Sequence, residues 1–203
     1  MKNQPVQRYR HDPSKNFVGF VVGDVEYAVP IASVREIANP LALVSLPHAP
    51  RSVVGVADYR GDVVAVVDVR IRFGLPAAEI TRKTKWIVVD VDAGTPAELH
   101  RAGGAPRLVA LVVDAVTEVF GRAGTKLRPA PALGAGEDIR GIAGVTTHAG
   151  GDPGKAKGSS ESGLVFVLDT TRLRDLADVL AMQEDAALQS AQHRSLPPVS
   201  PAT

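Results

Sequence analysis

The sequence predicts a mainly β protein, built as small barrels or sandwiches and finished by one C-terminal helix. Three observations carry that expectation. Valine occurs 29 times in 203 residues, and a β-branched side chain fits a pleated surface better than a helix. Glycine (19) and proline (15) make up about 17% of the chain, against an average near 12%, which is enough punctuation for many short elements. Several apolar runs are continuous rather than alternating, which implies strands buried on both faces.

Residues 1–15 are polar and read as a disordered lead. Phe17–Val22 and Val25–Val29 then form a hairpin across Gly23-Asp24. Pro30 ends the second strand, and Ser33 caps a short helical turn through Val34-Arg35-Glu36-Ile37. Leu41–Leu46, Val53–Tyr59 and Val63–Val69 read as further strands, the last ending near Arg72-Phe73-Gly74. After a basic linker come Trp86–Val91, Leu108–Val113, Val116–Phe120 and Leu164–Leu168. Two Gly-rich stretches, about 93–106 and 149–163, interrupt strand pairs and are expected to be mobile loops. Thr170 caps a helix over Thr171–Gln183, whose Leu173, Leu176, Val179 and Leu180 make one apolar stripe. Residues 183–203, with three prolines, read as a frayed tail, which leaves 16–182 as the ordered unit.

Composition narrows the function. A net charge of +1 gives no global attraction to nucleic acid or anionic lipid. The 4% aromatic content leaves few platforms on which bases could stack, which argues against an RNA-binding barrel. Cysteine is absent, so there are no disulfides and no thiolate metal sites. The polar N-terminus lacks the apolar stretch of a secretory signal, and no apolar run reaches the ~18 residues of a membrane span. A cytoplasmic protein is expected.

Catalytic and ligand-binding constellations fail one by one. Asp169-Thr170-Thr171 follows an apolar strand as an aspartic-protease loop does, but Thr171 stands where a small residue is needed and no second copy exists. A helix cap is the expected role of Asp169. Gly151–Lys155 hints at a phosphate loop, yet Ala156 follows the lysine where Ser or Thr would hold magnesium. The five histidines are scattered, with no pair at metal-ligand spacing. Asp90, Asp92 and Asp114 end apolar strands, where carboxylates commonly face water or turns. A hydrolase using Asp114 or Asp169 would need a second carboxylate or a metal in the same cleft. No enzyme, no cofactor and no metal are expected.

What remains is Val53–Val69: two apolar strands around a tight polar turn that holds Arg60-Gly61. An arginine presented at a fixed place on a rigid sheet suits recognition. Glu36, 24 residues earlier, is placed to pair with it and set the direction of the guanidinium.

Six pieces then occur in order: Phe17–Ile31, Val34–Ile37, Val53–Asp68 with its Arg60-Gly61 turn, Leu111–Asp114 before Val116–Val119, Arg128–Pro131, and Gly141–Gly144. Together they resemble the CheW-type chemotaxis coupling proteins over residues 16–182. The resemblance implies two small SH3-like five-stranded β-barrels sharing a core and a C-terminal α-helix. It also implies a non-catalytic adaptor joining the cytoplasmic tip of methyl-accepting chemoreceptors to the regulatory domain of a CheA-type histidine kinase. By position it makes Glu36 and Arg60 the interacting pair. Val34, Ile87 and Val119 become apolar positions on a receptor-facing groove, and Gly55 the backbone glycine near that surface. Two departures stand out. Asp58 occupies a place usually held by Asn, and Asp caps a turn much as Asn does. Ala65 replaces a usual Pro, which restores an N–H able to extend strand pairing.

Overall fold

A computed structural model describes residues 16–93, 106–121, 127–129, 141–147 and 163–177. The expected lead, most of both Gly-rich loops, the helix beyond Ala177 and the C-terminal tail lie outside the described residues, as do Val179 and Leu180.

The described residues form ten strands: β1 (Phe17–Val22), β2 (Val25–Pro30), β3 (Val34–Ala38), β4 (Val53–Tyr59), β5 (Asp62–Asp68), β6 (Lys85–Asp90), β7 (Leu108–Val113), β8 (Ala115–Phe120), β9 (Ile142–Thr147) and β10 (Leu164–Leu168). Two short helices, α1 (Val69–Arg72) and α2 (Arg174–Ala177), complete the set with single 3-10 turns at Ile31–Ser33 and Thr170–Leu173. The strands form two five-stranded sheets, ordered β8-β1-β2-β10-β9 and β3-β6-β7-β5-β4. The chain enters the second sheet through the turn at 31–33 and leaves it through one residue, Asp114, between β7 and β8.

The continuous apolar runs are explained by two buried faces. In β5, Ala65 and Val67 face the core shared with the first sheet, while Val64 and Val66 face a second cluster within the second sheet. Ile87 and Val89 in β6 face the shared core, and Trp86 and Val88 face the other side. The first sheet contributes Val18, Phe20 and Val29 to the shared core and keeps Phe17, Ala28 and Phe120 for its own. Leu173 and Leu176 enter the shared core from the C-terminal end, as their spacing predicts. This is the mainly β, two-unit architecture expected from the sequence.

Several local expectations are corrected. Val34–Ile37 is not helical: the turn is one register earlier, and Val34–Ala38 is an edge strand paired with β6. Leu41–Leu46 is no named strand and touches the sheet by a single bridge, Val44 to Val56. Pro40 and Pro47 flank it, and a bulge between Val53 and Gly55 interrupts the edge that it would have to follow. Strand β5 stops at Asp68, whose carboxylate accepts from the amides of Arg70 (2.8 Å) and Ile71 (3.2 Å) and starts α1. Ile142–Thr147 is a strand that the sequence reading did not separate out. At the C-terminal turn the two expected caps are decided in favour of Asp169 over Thr170: the Asp169 carboxylate accepts from the Thr171 amide at 3.0 Å. Ala65 fulfils its expectation, paired with Val56 on one side and Val109 on the other.

Candidate protein-interaction site

The β4–β5 hairpin closes in two residues, with Tyr59 opposite Asp62 and both Arg60 (φ 57°) and Gly61 (φ 90°) left-handed. Two positive φ values define the tight turn whose twist matches the flanking strands. Glycine adopts them without strain, but arginine does not, so something must hold Arg60 there. Part of the answer is Asp58, whose carboxylate accepts from the Gly61 amide at 2.8 Å. That is the capping expected of an Asp in place of Asn.

Arg60 also donates from Nη2 to Glu36 Oε2 at 2.6 Å, and Tyr59 donates its hydroxyl to the same oxygen at 2.7 Å. The Arg60 guanidinium lies 5.5 Å from the centre of the Tyr59 ring, within cation–π range. Glu36 belongs to β3 and Tyr59 to β4, the two outermost strands of one five-stranded sheet. The three side chains therefore bridge the edges of that sheet, as the curl of a small barrel requires. Arg60 stays 72% exposed and Glu36 35%. Burial, and after it the bond to Glu36, raises the Tyr59 pKa above its ordinary 10.0 and keeps the hydroxyl a donor.

Exposed apolar side chains lie on the same hairpin and on the segment bridged to it. Val63, opposite Asp58, is 59% exposed, and Val44, bridged to β4, is 65% exposed, with Leu43 beside it. Gly55 makes that arrangement possible. It sits at φ 155°, and a Cβ there would run into the Val44 carbonyl oxygen and approach Leu43 Cγ to 3.0 Å. Its glycine is needed for close backbone approach.

The remaining candidates separate. Val34 starts β3 and is half-buried against the shared core. Ile87 is completely buried in that core and presents no side chain to a partner, which corrects its place on a groove surface. The apolar side chain exposed there is its cross-strand neighbour Ile37, at 40%. Val119 is exposed, but on the outer strand β8 of the other sheet. The sequence reading missed Ile37 and Tyr59. Alternation in Val34–Ala38 signals the first, and the second sits next to the arginine it supports.

The aspartates expected to face water or turns are also placed. Asp114 does serve a turn, accepting from the Gly23 amide (2.7 Å) and pairing with Arg70 (2.5 Å). Asp90 and Asp92 are buried instead, Asp90 paired with Arg35 and Asp92 with Arg174 at 2.7 Å. Each carboxylate is taken up by arginine or backbone. Among the described residues there is no cluster of three or more potential metal ligands, and no helix is long and apolar enough to cross a membrane.

Residues 16–178 match the family model of the CheW-like domain. The chain belongs to the CheW-like domain family. Among curated relatives it is 35% identical over 117 residues to chemotaxis protein CheW of Rhizobium meliloti, covering 58% of this chain and 67% of that one. It is 40% identical over 73 residues to chemotaxis protein CheW of Helicobacter pylori, covering 36% of this chain and 44% of that protein's length. Protein FrzA of Myxococcus xanthus is 33% identical over 76 residues, 37% of this chain and 48% of FrzA. The crystal structure of the scaffolding protein TtCheW from Thermoanaerobacter tengcongensis superposes with a TM-score of 0.55 at 19% identity, covering 76% of this chain and 88% of that one. That likeness shows the fold.

Proposed function

We propose that this CheW-like chain is a non-catalytic adaptor that couples the cytoplasmic tip of methyl-accepting chemoreceptors to the regulatory domain of a CheA-type histidine kinase. It would work in the cytoplasm, recruited to receptor arrays at the membrane. The observation that carries the reading is Arg60 at the tip of the β4–β5 hairpin, paired with Glu36 of β3, with Val63 exposed on that hairpin and Val44 and Leu43 exposed on the segment bridged to it. A fixed charge pair beside an apolar strip gives a partner both register and buried area. Such small surfaces bind weakly one by one, and an array compensates through multivalency. Receptor state then reaches the kinase as a shifted equilibrium between bound arrangements.

A second reading keeps the fold and mechanism but places them in a non-flagellar chemosensory pathway, for type IV pili or social motility. The similarity to protein FrzA favours it.

Co-sedimentation with receptor-bearing membranes and the CheA-type kinase of the same organism tests the proposal, with autophosphorylation measured in parallel. Wild-type chain should recruit the kinase and change its activity. Arg60→Glu should recruit it poorly while folding normally, because it places a second carboxylate against Glu36 and removes the only cation of the turn. Wild-type-like assembly by that variant would sink the role assigned to Arg60.

A further inference from the structure

The Glu36–Arg60 pair is held from one side only. Both donors, the Arg60 guanidinium and the Tyr59 hydroxyl, share Glu36 Oε2. Glu36 Oε1 accepts no hydrogen bond among the described residues, and Arg60 makes its single hydrogen bond through Nη2. A carboxylate and a guanidinium left alone tend to close into a two-on-two pair, with both oxygens accepting from two nitrogens. Here the tyrosine and the arginine share Oε2, and Glu36 Oε1 and the other guanidinium nitrogens are left without a hydrogen-bond partner among the described residues on side chains that are 35% and 72% exposed.

Tyr59 is suited to hold that geometry. Its ring is buried to 9% exposure in the cluster with Trp86, Val88 and Val64, so it is fixed before any partner arrives. Its face carries the guanidinium and its hydroxyl carries the carboxylate. Among the described residues the Arg60 side chain makes no hydrogen bond or ion pair other than that with Glu36, so this long arm on a left-handed backbone position is held by Glu36 and the Tyr59 ring. An arm ordered in advance loses less freedom on binding.

We propose that Tyr59 is the positioning residue of this interaction site, holding Glu36 and Arg60 in the orientation that a partner reads. The proposal rests on the coupling role above. It requires that the hydroxyl, and not merely the ring, contributes to recognition.

Tyr59→Phe removes the hydroxyl and keeps the ring. In the isolated protein, the Arg60 Nε–Hε group should show a heteronuclear NOE close to that of a mobile side chain, where the wild type shows an ordered one. Kinase recruitment to receptor membranes should fall about tenfold or more, the scale of one hydrogen bond to a charged group. Glu36→Gln should loosen Arg60 similarly, and the double variant should be no looser than either single change, because both act on one contact. Tyr59→Phe should fold as wild type below about pH 10, and if it does not, Glu36→Gln carries the test: an Arg60 side chain as ordered in Glu36→Gln as in wild type overturns the proposal. An Arg60 side chain equally ordered in Tyr59→Phe overturns the proposal. So does wild-type recruitment by Tyr59→Phe while Arg60→Glu is impaired, and in that case the coupling role survives. Wild-type recruitment by both variants overturns the coupling role and this proposal with it.

Discussion

The second sheet carries carboxylate–guanidinium pairs in two settings that differ in their access to water. At the hairpin tip, Glu36 and Arg60 meet in solvent, 35% and 72% exposed. At the end of β6, Asp92 is 4% exposed and lies between Arg174 (2.7 Å) and Arg107 (3.5 Å), which are themselves mostly covered. Asp90, two residues earlier, accepts from the Asp92 amide at 3.0 Å and pairs with Arg35. The chemistry is the same, but the surroundings assign different work. A pair in water contributes about 0–1 kcal/mol, so it adds little to stability, and the work proposed for it is recognition. A buried charge without its partner is severely penalised, so the Asp92 cluster is a fastening. It ties the C-terminal turn, which follows the first sheet, to the second sheet.

The largest effect should come from that fastening. Asp92→Ala withdraws the acceptor from Arg174, and a broken buried pair typically costs about 3–5 kcal/mol. Urea denaturation reads this directly, while Arg60→Glu should shift the same curve by about 1 kcal/mol or less. Equal shifts for the two variants would abolish the distinction between fastening and recognition.

An intermediate effect is expected at Gly55, which sits on the recognition side but acts through the backbone. Gly55→Ala forces a Cβ onto a positive φ and into the Val44 carbonyl, a strain of about 1–3 kcal/mol. The reciprocal 2.8 Å bonds between Val44 and Val56 should open first, with faster amide exchange at both positions. Recruitment of the kinase should drop along with them, because Leu43 and Val44 leave the edge. Protected amides together with lost recruitment would instead point to Gly55 touching a partner itself.

The contrast was half legible in the sequence. The Glu36–Arg60 pair could be anticipated because the Arg60-Gly61 turn is a local signal and the resemblance to CheW-type proteins implies Glu36 as its partner, although Glu36 lies on a strand rather than on the expected helical turn. Strand boundaries in the long valine runs were legible for the same local reason, with Phe17–Val22, Val53–Tyr59 and Leu164–Leu168 all falling where expected. Long-range facts were not. Ser33 looks like a helix cap, but the outer edge of β6 offers Val34–Ala38 a row of hydrogen-bond partners that local propensity cannot register. Gly144 disguised β9. It is required because a Cβ there would meet the Arg128 carbonyl at 2.5 Å, where Arg128 and Val145 bridge. A continuous run such as Trp86–Val91 conceals which residues face the shared core, so Ile87 could pass for a surface residue. Asp92 looked like a strand-end carboxylate because its partner Arg174 lies 82 residues away.

The smallest effect concerns Tyr59, the residue through which the exposed pair touches the core. Its folded pKa lies above the ordinary 10.0, chiefly through burial and then through the bond to Glu36. The folded state therefore holds this proton more tightly than the unfolded chain does. The resulting stability is complete below the unfolded value near 10.0 and is lost as the pH rises through the folded pKa. Wild type should lose stability relative to Tyr59→Phe only above about pH 10, with parallel curves below it. Differencing the two proteins cancels the titration of the other tyrosines and lysines. Curves that remain parallel through the alkaline range would mean that the hydroxyl is not held by the fold, and the exposed pair would then be anchored to the core only by the contact of Arg60 with the Tyr59 ring.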